Sequence, residues 1–399
     1  MSQRLNISLV LLNVTTLLFR KFVPSTEKWE LKTMDRQKLL SYQFVAVISL
    51  ILSTSPAAAK GPAASAPSEA ELQQLVDDTR ARLRGIPPAA DLQQLVDEVH
   101  TKFKGLKEGK NADYIPILAT VPSELFGVVI ATRDGTLYSA GDVDYTFAIE
   151  STAKPFTAAL VMQQYGGPEA IQEKIGVEPT GLPFNSKFPL LLLDERSVNP
   201  MVNAGAIASV SMVKAGSEDE RWKTVLDYLS DFAGEPLQLM DEVYESEYTT
   251  SWSNRAIANL LYNDGRLYSD PEEALRVYTK QSSVGVTTKQ LAIMGATLAN
   301  EGVNPKTGKR LLDAEHVPEL LAIMLTAGFY DESGQWSYTA GLPSKTGVGG
   351  GIVSVVPGRF AIAAFSPRLN EAGNSVRAQE AIKEISTRLG LSLFLAPQR

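Results

Sequence analysis

The 399-residue chain has no cysteine, which removes disulfides, thiolate metal sites and a cysteine nucleophile together. It has only 2 histidines, His100 and His316, too few and too far apart in sequence for a histidine-rich metal centre. A serine–histidine triad would need one of those two, so a catalytic serine here is expected to use a lysine or tyrosine base. No metal or other cofactor is expected. Basic residues are also in deficit: 38 Lys and Arg against 45 Asp and Glu leave a net charge of −7. With no basic stripe along the chain, that balance argues against nucleic acid as a partner. What remains is an ordinary globular composition, 44% hydrophobic and 21% charged, ample for one or two cores.

Long apolar runs are scarce, and the clearest lies near the start. Met34–Lys38 is a short basic segment, Leu39–Leu52 is apolar but short for a membrane span, and Ser55–Ala59 offers an A-x-A-type cleavage site before Lys60. Residues 1–59 therefore read as a leader with a signal peptide starting at Met34. The mature protein is expected to be exported, periplasmic or secreted, with no stable membrane insertion after cleavage. An uncleaved anchor or a misassigned start is the alternative reading of the leader, and a cytoplasmic location is the alternative to export; Leu9–Phe19 is a second, weaker apolar patch. Residues 60–90 hold an Ala/Pro/Ser linker and the first copy of a duplicated helix, Glu71–Asp77, which recurs as Asp91–Asp97. Two copies are too few for a solenoid, so the second is assigned to the main domain, 91–395.

Within that domain two short motifs carry chemistry. Ser151-Thr152-Ala153-Lys154 follows the apolar segment Tyr145–Ile149 and opens a helical run from Pro155 to Tyr165. A lysine three residues after a serine lies one helical turn on, within reach of the hydroxyl proton. Far downstream, Lys345-Thr346-Gly347 runs into a glycine-rich turn and then the strand-like Ile352–Val356. A second lysine on a strand edge can keep the first neutral by repulsion and draw in an anionic substrate. The chain also supplies its own controls. S-x-x-K recurs at Ser25–Lys28 and Ser211–Lys214, and K-T-G at Lys306–Gly308, without a helix start or strand edge behind them. The 151/345 pair is the signature of serine β-lactamases and penicillin-binding proteins.

Phe126–Thr132 and Thr136–Ser139 flank Arg133-Asp134-Gly135 as one hairpin; Ile352–Val356 and Phe360–Phe365 flank Pro357-Gly358 as another. Helical segments fill roughly 150–330, and a final helix is expected from Ser375 to Leu389. Strands at both ends with helices between predict an α+β fold, an antiparallel sheet flanked by helices with an inserted helical subdomain.

Other polar residues stand in apolar surroundings. Asn203, at the start of a small-residue helix, is either a ligand-binding amide or a helix cap. Glu247 and Asn254, seven apart, would share a face of one helix and hold an α-ammonium and an α-carboxylate, or be ordinary exposed polar residues. Tyr278 can relay a proton beside Lys154, and Tyr330 can close a pocket; either can equally be packing.

Several blocks together resemble the bacterial-type serine-dependent glutaminases of the β-lactamase-like superfamily: Asn111–Ala119, the S-x-x-K helix, Asn199-Pro200-Met201-Val202-Asn203-Ala204-Gly205-Ala206-Ile207, Leu298–Pro305, Gly341–Gly351, Phe365–Pro367 and Gly373–Val376. The resemblance covers about residues 91–395. It implies a β-lactamase/penicillin-binding-protein-like fold, hydrolysis of L-glutamine to L-glutamate and ammonia, and a homodimer or homotetramer. It also implies Ser151 as nucleophile, Lys154 as base and Tyr278 as proton relay and substrate contact. Asn203, Glu247, Asn254, Tyr330 and the Val348 backbone would complete the substrate site. The chain departs from the family pattern at Ala153 for an inner serine, Thr346 for a serine, Ser282 for a cysteine and Ser253 for an arginine. Two further readings stay open. One is a β-lactam hydrolase or D-Ala peptidase, supported by the two short motifs. The other is a glutamine-binding sensor of low activity, suggested by Ala153 and Ser253.

Overall fold

The computed structural model describes residues 89–192 and 197–395, all within one compact unit, Val76–Arg399. The leader, the linker and the first copy of the repeat lie outside the described residues. The strands are β1 (Gly127–Thr132), β2 (Leu137–Gly141), β3 (Phe147–Ala148), β4 (Gln238–Leu239), β5 (Val284–Val286), β6 (Ser344–Thr346), β7 (Gly351–Val356) and β8 (Phe360–Phe365). Helices of at least ten residues are α1 (Ala89–Phe103), α2 (Lys154–Tyr165), α3 (Asn203–Met212), α4 (Glu218–Ala233), α5 (Asp241–Thr250), α6 (Trp252–Asn263), α7 (Pro271–Ser282), α8 (Thr288–Ala299), α9 (Val317–Ala327) and α10 (Val376–Leu389).

The two hairpins read from the sequence meet in one antiparallel sheet of order β2-β1-β8-β7-β6, joined through β1 and β8 with Val129 opposite Ala363. Successive side chains along these strands enter two different cores, as the two-residue period of a strand requires. Val128, Ile130, Ile352, Val356 and Ile362 pack with Leu92 and Val96 of α1 and Ile382 and Ile385 of α10. Val129, Ala131, Val353, Val355 and Phe365 pack on the opposite face, with Leu291 and Met294 of α8. Both faces are therefore covered, which is why β7 and β8 read as unbroken apolar runs. A Cβ on Gly295 would lie 2.6 Å from Val353 Cγ2 and 2.8 Å from Ala361 Cβ, so glycine is what lets α8 press onto the sheet.

Between the hairpins, α2 to α7 form the inserted helical subdomain, and the architecture is α+β as the strand and helix pattern predicts. A second sheet, β3-β5-β4, was not legible in the sequence because its strands are only two or three residues long. It positions the site: β3 leads straight into Ser151, β5 follows the helix that carries Tyr278, and Ile149 N–H donates to Val284 O at 2.8 Å. No helix among the described residues is long and apolar enough to cross a membrane.

Candidate active site

Ser151 lies just before the helix proper, in a 3-10 turn (Glu150–Ala153), and Lys154 is the first residue of α2 with Pro155 fitting its first turn. This turn brings Lys154 Nζ to 2.6 Å from Ser151 Oγ, to which it donates. Nζ also donates to Tyr278 OH at 3.1 Å; Tyr278 OH donates to Asn203 Oδ1 at 3.1 Å, and Asn203 Nδ2 to Asn254 Oδ1 at 2.8 Å. All five side chains are buried. One hydrogen-bonded chain thus joins residues from the turn before α2 and from α2, α7, α3 and α6.

The charges around this chain are in an unusual state. Burial brings Lys154 down to about 8, against the opposing pull of Glu150 and Glu247. Burial pushes Glu247 up to about 8, partly offset by Lys154. Glu150 is held well above the ordinary carboxyl range by burial and by the charge of Glu247, with Lys154 opposing. Glu150 Oε1 and Glu247 Oε2 are buried without a hydrogen-bond partner. Such oxygens are costly to leave empty-handed and are matched to an ammonium group.

Glu247 and Asn254 do not share one helix. The chain breaks at Ser251, so Glu247 ends up on α5 and Asn254 on α6, yet the break turns both side chains inward. Asn203 is not a cap: Val202 occupies that position, and the Asn203 side chain goes to the site. Tyr330 has a left-handed backbone, φ 58°; its hydroxyl donates to Thr346 O at 3.3 Å and its ring lies 4.7 Å from that of Phe184. Val348 is buried in the turn after β6. That turn rests directly on the nucleophile, since a Cβ on Gly347 would come within 3.2 Å of Ser151 N and 3.1 Å of Thr152 N. Outside bonds internal to helices and strands, neither the Ser151 nor the Val348 N–H donates to a backbone carbonyl among the described residues. Two amides at a close-packed turn are what an oxyanion needs.

Lys345 departs from its expected role. It is fully buried, and Nζ donates to Gly328 O at 3.1 Å and Thr346 O at 2.7 Å while sitting 4.2 Å from the Tyr330 ring centroid. It is Lys345 that burial and the charge of Lys154 drive toward the neutral form; Lys154 owes its own shift to burial.

Sequence reasoning missed Glu150 and Tyr114. A carboxyl wedged between Ile149 and Ser151 is the signal that could have revealed Glu150, whose φ of 50° is costly for a non-glycine residue. Tyr114 is 53% exposed yet stands close enough to the pocket to feel its charges. Burial, Tyr330, Glu150 and Glu247 together raise its pKa. No local pattern marks that residue. Three of the four departures from the family pattern are accommodated, while the Thr346 hydroxyl is buried without a hydrogen-bond partner. Ser282 Oγ donates to Tyr278 O at 3.2 Å, Ala153 is sealed in the apolar core, and Ser253 Oγ accepts from Lys187 Nζ at 2.7 Å. Arg255, beside Asn254, turns away to Glu272 at 2.9 Å.

Residues 109–394 match the glutaminase family model. The chain is 54% identical to a glutaminase of Brucella canis over 286 residues, 72% of this chain and 90% of that protein. It is 53% identical to a glutaminase of Mycobacterium marinum over 289 residues, again 72% and 90%. Among solved structures it is similar to a probable glutaminase, ybaS, with a TM-score of 0.76 and 52% identity, covering 78% of this chain and 100% of that one. A probable glutaminase from Bacillus subtilis complexed with 6-diazo-5-oxo-L-norleucine gives a TM-score of 0.68 and 30% identity, covering 77% and 97%. These likenesses agree with an α+β architecture of the β-lactamase-like type.

Proposed function

The chain belongs to the glutaminase family, whose members act as amidohydrolases on glutamine, and from that premise we propose that its reaction runs through a γ-glutamyl ester on Ser151 with Lys154 as base. The observation that carries this reading is the 2.6 Å contact between Lys154 Nζ and Ser151 Oγ, inside a pocket that lowers the lysine to about 8. A neutral Lys154 takes the hydroxyl proton as Oγ attacks the side-chain amide carbon. The developing oxyanion is met by the Ser151 and Val348 N–H groups. Lys154 then returns its proton, with Tyr278 OH 3.1 Å away to assist, to the departing nitrogen, and ammonia leaves. Water attacks the ester with the same lysine as base, releasing L-glutamate and regenerating the serine.

Substrate selection rests on the groups around this centre. Glu247, with a buried and unpartnered oxygen, suits the α-ammonium, and Glu150 adds a second such oxygen nearby. Asn203 and Asn254 supply amides for the α-carboxylate, and Tyr330 stands against the site from the far side. A β-lactam brings no ammonium to that position, and Lys345, already bonded to two carbonyls, is poorly placed to receive a β-lactam carboxylate. Assembly as a homodimer or homotetramer and export from the cytoplasm are proposed on the resemblance and on the leader alone.

The test is ammonia release from L-glutamine by the full chain beside Ser151→Ala, followed across pH. Release should fall by about 10³-fold or more in the variant. In the parent, kcat/KM should rise through about pH 8 as Lys154 loses its proton and Glu247 is ionised. Labelling by 6-diazo-5-oxo-L-norleucine, read by peptide mass spectrometry, should fall on Ser151. A parent that binds glutamine without releasing ammonia would sink the hydrolase in favour of a sensor.

A further inference from the structure

The buried lysine of the K-T-G segment has no part in the steps above, yet its surroundings are fully specified. Beyond its own stem, a lysine Nζ has three directions, filled by three protons or by two protons and a lone pair. Two of those of Lys345 are taken by Gly328 O and Thr346 O, at 3.1 and 2.7 Å, and the third side faces the Tyr330 ring at 4.2 Å. No direction is left for a substrate. The two carbonyls belong to two different pieces of chain. Gly328 stands at the end of α9 and leads into Tyr330, while Thr346 closes β6 and leads into the turn of Gly347 and Val348.

The same atoms serve a second set of bonds. Gly328 O also accepts from Thr346 N–H at 3.2 Å, and Thr346 O also accepts from Tyr330 OH at 3.3 Å. Lys345 therefore adds to these two bonds, sharing both acceptors, in fastening the Tyr330 segment to the turn above Ser151. That fastening has something to hold. A tyrosine at φ 58° is strained and persists only where its surroundings fix it. Other contacts contribute: Ser333 Oγ donates to Tyr330 O at 2.8 Å, and Phe184 covers the ring. Neither of these reaches the β6 turn.

Resting on the glutaminase reading, we propose that Lys345 is a positioning residue that fixes the Tyr330 phenol and the Val348 amide against Ser151, acting on substrate only through them. The test compares kcat and KM for L-glutamine in the full chain, Lys345→Met, Lys345→Gln, Tyr330→Ala and the Lys345→Met/Tyr330→Ala double variant, each with its thermal midpoint. Methionine keeps the buried stem and removes the bonds and the buried titratable group, so the fold should keep or gain stability. A misplacement of this kind is expected to lower kcat/KM by about a hundredfold. Lys345→Gln, which retains one donor group, should fall between parent and Lys345→Met. In the Tyr330→Ala background the Lys345→Met loss should shrink to a few-fold, the mark of residues acting as a unit.

An active Lys345→Met variant overturns the proposal, and so does a loss that is undiminished when Tyr330 is already gone. If Lys345→Met does not fold, the glutamine variant decides; failure of both to fold assigns the lysine to stability and also overturns it. A parent that releases no ammonia removes the glutaminase reading and this inference with it, a result distinct from an active parent whose Lys345 variants match it.

Discussion

On the sheet, Ser344 and Ser354 face each other across β6 and β7 and bond at 2.6 Å, while the apolar side chains around them interdigitate on both faces. One residue further along β6 begins a region built the other way. Lys345, Lys154, Glu150 and Glu247 are all buried, two carboxylate oxygens have no donor, and Glu150 and Tyr330 hold left-handed backbones. The sheet is where this chain gains stability, and the pocket is where it gives some up. Buried ionisable groups are destabilising until a ligand of opposite charge arrives, and that unmet demand is what a binding site consists of. The difference implies that a substitution in one region should move stability and activity together or leave activity alone. In the other region it should move them in opposite directions.

Beyond the Ser151 and Lys345 variants, the largest effect is expected at Glu247. Glu247→Gln should raise KM for L-glutamine by about a hundredfold, the loss typical of removing one partner of a buried charge pair. The same change should stabilise the fold at neutral pH. Burial raises the folded carboxyl from 4.5 to about 8, so between those values the folded chain keeps a proton that the unfolded chain releases. Parent stability must then fall as pH rises from 4.5 to 8, with the penalty complete above 8. Glutamine cannot ionise, so that part of the slope should be missing in the variant. Denaturation midpoints across pH check this, and a variant less stable than the parent at pH 8 would break the contrast between the two regions.

How much of this was legible beforehand divides along the same line. The hairpins, the terminal helix and the helical insert follow from local turn chemistry and periodicity, because Asp134-Gly135 and Pro357-Gly358 punctuate long apolar runs. Within the site, Ser151 and Lys154 are legible because they lie three residues apart, so a single turn of chain decides their contact. Glu247 and Asn254 were paired on a false premise, one continuous helix, and the break at Ser251 is what folds both inward. Their roles came from the family likeness and not from spacing. Glu150 and Tyr114 stayed hidden because their partners are distant in sequence: Glu150 and Glu247 are brought together only when β3 and β4 both pair with β5. Left-handed φ values at Glu150 and Tyr330 carry no sequence mark, since neither residue type favours them.

A smaller effect, of the opposite kind, is expected where α8 meets the sheet. Gly295→Ala places a methyl 2.6 Å from Val353 Cγ2 and 2.8 Å from Ala361 Cβ, closer than packed carbons tolerate. Overpacking of this sort costs about 1–3 kcal/mol, so the thermal midpoint should drop while KM for the folded enzyme stays at the parent value. A raised KM without a lowered midpoint would mean that strain on this face reaches the pocket, and the two regions would have to be treated as one.

The smallest effect should mark where the pocket ends. Lys187 Nζ donates to Ser253 Oγ at 2.7 Å from a half-buried position beside Asn254, the place where the family pattern has an arginine. A cation is thus present at that rim, but it is supplied from the other side and is directed at a hydroxyl, not at the chain of buried amides. A partly exposed hydrogen bond of this kind is worth about 1 kcal/mol or less. Lys187→Ala should therefore raise KM by no more than about fivefold and leave the midpoint unchanged, since removing it strands no buried charge. Steady-state kinetics on that variant decide the point. A rise comparable to that of Glu247→Gln would mean that the rim cation belongs to the carboxylate site, and the boundary drawn between satisfied surface and unsatisfied pocket would move outward to include it.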